Sequence, residues 1–464
     1  MTTFRRSLAA LAAALLAAAA GGPPASADEA AGCFPAGRSL RYLVLFDPAT
    51  PPEQADAQVR AACGSSTGYY PQISVGVAVS ADPAFPARIG PARAFSAQAY
   101  RTAVPSGQAE AAFDQIPRAG EPDRTGEQWD MAVINAPQAR SVTPGDPDVV
   151  VGVLDSGIDA NHPDLAHAVA REESAGCLTG MPDPGEPAWR PTASAHGTHV
   201  AGIIAAADDG RGVTGVAPGV RVASVKVIDD RGYVTPEAAV CGLMWAAARH
   251  MKVVNSSFSV NPWGLACARR EDYAVVHEAL ARAVEYAALS GTLTVAAATN
   301  DAANLTPSPR AGTTPPPATG CEALPAGLRD VVTTSAVGRG EVKAGYSSYG
   351  LGVIGLAAPG GDGHDCVLST VPGGGYAPLC GTSMAAPHVS GVAALLASAH
   401  PGYGPRQLRE ALYRTARPMP CPADYDLTGD GHQDAYCTGY TAYNGFYGHG
   451  MVDARAALTA GAGG

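Results

Sequence analysis

The sequence predicts an α/β protein with a mostly parallel central sheet, preceded by a small α+β unit. Three observations carry this. From Gln128 onward, fully apolar strand-like runs alternate with helix-like runs, the pattern of strands buried on both faces and joined by helices. At 464 residues the chain exceeds one average domain. A polar stretch with Pro and Gly, residues 116–125, then separates the first part from the rest and reads as an exposed linker.

In chain order, Arg5 and Arg6 precede an apolar run over 8–20, followed by Gly and Pro and then Ala25-Ser26-Ala27. A basic start, a short apolar core and a small-x-small site describe a secretory signal peptide over 1–27, cut after Ala27. No other segment reaches the roughly 18 consecutive apolar residues of a membrane span, so a secreted, extracellular protein without a membrane anchor is expected. Residues 28–125 form the small unit, with strands expected over 40–46 and 73–79 and a helix over 52–63 between them. A small unit before a cleavable linker has the organisation of a pro-domain, and maturation is expected between Gly120 and Gln128.

The main unit, 126–464, follows. Strands are expected over 149–154, 222–228, 253–255, 292–298 and 331–337. Helices are expected over 196–207, 235–251 and 272–290. In such sheets ligands sit at the C-terminal ends of the strands. Asp155 directly follows the first of these strands, His196 opens a helix, and Asn300 ends a strand. The stretch Gly381-Thr382-Ser383-Met384-Ala385-Ala386-Pro387-His388 then runs into a long apolar segment, a turn opening a buried helix with Ser383 in its first turn. Pro387 is read as an early-helix proline, where the N–H groups have no carbonyl partner.

Each of these signals has a plain structural reading: a turn acid, a structural histidine, a turn amide, a helix cap. Together they are the set that nucleophilic acyl transfer requires. A serine hydroxyl needs a base within reach, the base needs a carboxylate to hold its tautomer, and the tetrahedral intermediate needs donors aimed at its oxyanion. His196 and His199 do not read as a zinc pair, because no Glu follows His196.

The segments Asp155-Ser156-Gly157-Ile158, His196-Gly197-Thr198-His199-Val200-Ala201-Gly202 and Gly381 to Val389 resemble the three signature blocks of the subtilisin-like serine proteases, in the subtilisin order. The resemblance covers roughly 128–460. It implies a three-layer subtilisin-like fold with an N-terminal inhibitory pro-domain. It also implies Asp155 as orienting acid, His196 as general base, Ser383 as nucleophile and Asn300 as oxyanion donor. Ser257, Phe258 and Ser259 match the substrate-backbone strand, and Gly232 and Tyr233 the opposite edge strand, with substrate held as an added strand. Two positions depart from the family pattern: Ser259 and Thr299 stand where glycine is usual, adding bulk beside the specificity pocket. Asp164 and Asp209, with loop carbonyls and Gln128, align with calcium-binding segments of the family. No cofactor is implied for the chemistry. The loop 426–434 echoes an EF-hand start but has Cys437 where the bidentate Glu belongs.

The expected function is a secreted serine endopeptidase, monomeric, acting on peptide or protein substrates and matured by removal of its own pro-domain. A dedicated processing protease for one partner protein and a non-catalytic binding protein on the same scaffold are the alternatives. A net charge of −11 speaks against nucleic acid as a partner. The ten cysteines fit an oxidising compartment. Proximity suggests Cys33–Cys63, Cys267–Cys321, Cys366–Cys380 and Cys421–Cys437, leaving Cys177 and Cys241 over, the latter read as a buried free thiol.

Overall fold

A computed structural model describes residues 32–34, 37–90, 92–100, 122–262, 264–266, 271–306, 321–363 and 365–460. The expected signal peptide and most of the linker lie outside them.

The N-terminal unit runs β1 (Leu40–Leu45), α1 (Pro52–Ala61), β2 (Ser65–Tyr70), β3 (Val75–Ser80), α2 (Phe85–Ile89) and β4 (Ala94–Phe95). Its four strands form one sheet in the order β2-β3-β1-β4, antiparallel throughout. One face of this sheet buries Tyr42, Val44 and Phe46 against α1 and α2. The alternate residues Leu43, Leu45, Val75 and Phe95 point the other way, into a core shared with the main unit.

The main unit opens with α3 (Trp129–Val133) and α4 (Ala136–Arg140), then β5 (Val150–Asp155), β6 (Ala175–Gly176), α5 (Glu186–Trp189), α6 (His196–Ala205), β7 (Arg221–Lys226), α7 (Pro236–Ala248) and β8 (Val253–Ser256). It continues with β9 (Leu265–Ala266), α8 (Glu271–Leu289), β10 (Leu293–Ala297), β11 (Glu322–Ala323), β12 (Val331–Val337) and β13 (Leu356–Pro359). The hairpin β14 (Val367–Val371) and β15 (Gly375–Leu379) leads into α9 (Thr382–Ala399), followed by α10 (Pro405–Thr415), β16 (Gly439–Tyr440), β17 (Tyr443–Asn444) and α11 (Ala454–Thr459).

Seven strands make the central sheet in the order β13-β12-β10-β8-β5-β7-β6, all parallel. Every residue of β5, β10 and β12 is buried, as strands covered on both faces must be. Helices α6 and α9 cover one face, and α7 and α8 the other, giving the expected three layers.

The N-terminal unit sits on the α7/α8 side. The Tyr70 hydroxyl donates to Gly180 O at 2.7 Å, and Arg282 donates to Phe46 O and Ile73 O at 3.0 and 3.2 Å. Arg41 donates to Leu178 O at 3.0 Å and lies 3.9 Å from the buried Glu237 carboxylate.

Three disulfides match the proximity pairing: Cys33–Cys63, Cys366–Cys380 and Cys421–Cys437. Cys321 is also disulfide-bonded, while Cys267 lies outside the described residues. The expectation for Cys177 and Cys241 is corrected, because they bond to each other. A pairing by sequence proximity misses them, since β6 and α7 meet only through the fold.

Candidate active site

The C-terminal ends of β5, β8 and β10 bring the site together. Asp155 is the last residue of β5 and fully buried. Its carboxylate takes the Ser156 N–H at 2.7 Å and lies 2.8 and 2.9 Å from His196 Nδ1. This contact requires the first turn of α6 to press on β5. A Cβ on Gly197 would come within 2.5 Å of Gly157 O and 3.1 Å of Asp155 Cβ, so the close approach depends on glycine. With Nδ1 committed to the carboxylate, Nε2 is the ring position left for proton exchange.

Ser383 is the second residue of α9 and half-exposed. Its Oγ donates to Ser257 O at 3.1 Å, and Ser257 Oγ donates back to Ser383 O at 2.8 Å. The second bond corrects the reading of Pro387. The helix begins at Thr382, so Pro387 is its sixth residue, where an N–H would have bonded the carbonyl of Ser383. The Ser257 hydroxyl replaces that missing donor. Asn255 Nδ2 donates to Ser257 Oγ at 2.9 Å and Ser390 Oγ to Asn255 Oδ1 at 2.9 Å, tying β8 to the next turns of α9. Leu154 and Ser256 are in register across β5 and β8, so the Asp155 and Ser257 ends lie side by side.

Asn300 follows β10 and is exposed. Its Oδ1 accepts both the N–H and the hydroxyl of Thr382, each at 2.9 Å. That fixes the amide orientation and leaves Nδ2 as the outward donor beside the start of α9. The Ser383 N–H belongs to the same first turn, where backbone donors have no intrahelical acceptor. The arrangement therefore offers an oriented imidazole, a hydroxyl at a helix start and donors suited to a developing oxyanion.

Thr299, one of the two departures, is buried with its hydroxyl 2.8 Å from Ser348 Oγ, so its side chain is committed to the protein interior. The expected edge strand at Gly232 and Tyr233 is a turn. Asp229 N donates to Tyr233 O at 3.0 Å, and the Asp229 carboxylate takes the Arg231 and Tyr233 N–H groups. Among the described residues, strand pairing here is a single bridge between Ile228 and Val234. The run Asp229-Asp230-Arg231-Gly232 has turn chemistry, and it wins over any extended preference. β8 ends at Ser256, so Ser257, Phe258 and Ser259 continue beyond the sheet. Phe258 and Tyr233 are half-buried against the α7/α8 core.

His199 was a bystander in the sequence. It is fully buried, and Nε2 donates to both Val367 O and Ala377 O, at 3.1 and 3.0 Å. Burial pushes its pKa down to about 3, so the neutral ring holds together the hairpin that leads into Ser383.

The aligned calcium donors are engaged by the protein itself. Asp164 accepts the Val213 N–H at 3.1 Å and the Tyr376 hydroxyl, and burial raises its pKa. Asp209 pairs with Arg211 at 2.7 Å. Gln128 spends both ends of its amide on Thr214, at 3.0 and 2.8 Å. Calcium takes six to eight oxygens, and this set, with a guanidinium among it, does not fit that cage. In the 426–434 loop, Asp426 accepts the N–H groups of Gly429, Asp430 and Gly431, and Asp434 those of Leu427 and Thr428. Those carboxylates cap their own backbone.

Comparison with known proteins agrees with this geometry. The Subtilase family matches residues 146–450. Subtilisin E of Bacillus subtilis is 34% identical over 288 residues, which cover 62% of this chain and 65% of that protein. Thermitase of Thermoactinomyces vulgaris is 33% identical over 297 residues, 64% of this chain and 90% of its own length. The chain thus spans about two thirds of the length of subtilisin E. Among solved structures, the epidermin leader peptide processing serine protease of Staphylococcus aureus superposes with a TM-score of 0.65 over 92% of this chain and 99% of its own. At 20% identity it speaks to the fold alone. A protease of Pseudoalteromonas arctica gives a TM-score of 0.54 at 29% identity, over 74% of this chain and 99% of its own. With the matched region covering more than half of the sequence, the chain belongs to the subtilase family.

Proposed function

We propose that the protein is a secreted serine endopeptidase that hydrolyses peptide bonds through an acyl-enzyme on Ser383. The observation that carries this reading is the double contact of the buried Asp155 carboxylate with His196 Nδ1. In this mechanism His196 takes the Ser383 proton as the hydroxyl attacks the carbonyl carbon. The imidazolium is stabilised by Asp155 and then protonates the leaving amine. Asn300 Nδ2 and the Ser383 N–H stabilise the oxyanion. Water, deprotonated by the same imidazole, releases the acid product and restores Ser383.

Residues 28 to about 121, a few short of the expected boundary at 125, act as a pro-domain. The packing of its sheet on α7 and α8 supports this, since it buries Leu43, Leu45 and Phe95 against the enzyme. Residues from Pro122 on stay with the enzyme: Arg124 N donates to Gly212 O at 2.7 Å, and Gly212 N to Pro122 O at 3.0 Å. Export is supported by the basic, apolar N-terminus. Among the described residues no helix is long and apolar enough to cross a membrane.

The test is the intact mass and N-terminal sequence of wild type and Ser383→Ala, each also treated with a fluorophosphonate probe. Wild type alone should split upstream of Pro122 and take the label. Identical cleavage of both proteins would assign maturation to another protease. An unlabelled wild type would overturn the nucleophile.

A further inference from the structure

Asn300 is flanked by two non-glycine residues with positive φ, Thr299 at 82° and Ala302 at 51°. Such conformations cost of order 1–3 kcal/mol each and persist only where the surroundings hold them. The holding segment is 346–349. Ser348 N donates to Thr299 O at 3.0 Å, and Ser348 Oγ lies 2.8 Å from Thr299 Oγ1 while accepting the Ala303 N–H at 3.2 Å. Ala302 N donates to Tyr346 O at 2.8 Å and Tyr349 N to Ala303 O at 2.9 Å. A single buried serine thus bonds both ends of the loop that displays Asn300.

The turn carrying Ser348 has its own support. Lys343 is buried, and its Nζ donates to the carbonyls of Ala344, Gly345 and Ser347 at 2.8, 3.3 and 2.6 Å. Three ammonium hydrogens meet three carbonyl oxygens. Nζ also sits 5.4 and 5.5 Å from the ring centroids of Tyr349 and Phe446. Burial pulls the Lys343 pKa down to about 7, with the Asp434 carboxylate acting against that pull. Among the described residues no carboxylate pairs with it, so its hydrogens are spent on folding this turn.

We propose that Ser348 is a positioning residue for Asn300, and that Lys343 is the internal cation that sets the Ser348 turn. The proposal rests on the reading of Asn300 as an oxyanion donor. The line of contact runs from Lys343 Nζ through Ser347 O to Ser348, Thr299 and Asn300. On the far side Thr382 anchors the Asn300 carbonyl. Without Ser348 the amide keeps one anchor and its donor drifts from the oxyanion position. The oxyanion exists only in the transition state, so the loss falls on kcat rather than KM.

The experiment compares wild type, Ser348→Ala, Asn300→Ala and the double variant on a peptide p-nitroanilide, each freed of its N-terminal unit in trans and repurified. Ser348→Ala should lower kcat about tenfold with KM nearly unchanged. In the Asn300→Ala background the same change should have almost no effect on kcat. An equal loss in both backgrounds would overturn the proposal, since Ser348 would then act on the scaffold at large. If Asn300→Ala leaves kcat at the wild-type value, the oxyanion reading itself fails and takes the proposal with it. Should Ser348→Ala not fold, Thr299→Gly replaces it. That change relieves the positive-φ cost while removing the hydroxyl partner, and it should lower kcat only where Asn300 is present. Thr299→Ser, which keeps the hydroxyl, should retain kcat.

Discussion

Ser257 and Ser383 exchange hydrogen bonds: each hydroxyl donates to the other residue's carbonyl, at 3.1 Å from Ser383 and 2.8 Å from Ser257. One bond parks the nucleophile's proton, and the other supplies the donor that Pro387 removes from the helix. Ser257→Ala leaves the Ser383 carbonyl without its side-chain partner. Stability should fall by about 1–3 kcal/mol, the cost of an unsatisfied buried polar group. Pro387→Ala restores the helical N–H and should recover the part of that loss that comes from the Ser383 carbonyl in the Ser257→Ala background, while Asn255 Nδ2 stays without its Ser257 acceptor. Urea denaturation of the inactive Ser383→Ala protein carrying these changes measures it. A loss untouched by Pro387→Ala would mean that the serine hydroxyl is not replacing the proline's missing donor.

This exchange marks where sequence reading stops. The sheet was legible because runs such as Val149 to Leu154 are apolar without alternation and the helices between them are long. β2 was not, because Ser65-Ser66-Thr67-Gly68 is a polar edge whose pairing with β3 only the fold supplies. Asp155, His196, Asn300 and Ser383 stood out because their neighbours form local patterns. Ser257, Thr382 and Ser348 act through partners 126, 82 and 49 residues away, and no local pattern encodes such contacts.

Acid should destabilise the fold partly through His199. Its native pKa is about 3, against an ordinary 6.5 for histidine. Between those values the unfolded chain takes up a proton that the native state refuses, so stability falls as pH drops from about 6.5 toward 3. The slope is about 1.4 kcal/mol per pH unit for one such group. His199→Gln keeps an N–H donor for the two hairpin carbonyls and does not titrate. Denaturation midpoints of this variant between pH 4 and 7 should change less steeply than those of the wild type. Parallel curves would show that other groups carry the acid sensitivity.

The Cys177–Cys241 disulfide closes a span of 64 residues. Loop-closure entropy for that length corresponds to about 4 kcal/mol. Replacing both cysteines by Ala should lower the unfolding free energy by a few kcal/mol. It should also loosen the turn whose carbonyls at Leu178 and Gly180 receive Arg41 and Tyr70 from the N-terminal unit. Affinity of the separately added N-terminal unit for the variant should therefore drop along with Tm. A drop in Tm with unchanged affinity would confine the disulfide's role to the main unit.

Chelation tests the reading of the Asp164 region. Asp164 is capped by Val213 and Tyr376, Asp209 is neutralised by Arg211, and Gln128 is closed on Thr214. An ion entering there would have to displace these donors and sit close to the Arg211 guanidinium. Tm in EDTA should accordingly match Tm in millimolar calcium. Arg211→Ala removes the exposed guanidinium that pairs with Asp209 and leaves two carboxylates near one another, since Asp209 contributes to raising the Asp164 pKa. In that variant calcium should become stabilising. A wild type already stabilised by calcium would mean that the loop opens to form an oxygen cage and that the guanidinium is no substitute for the ion.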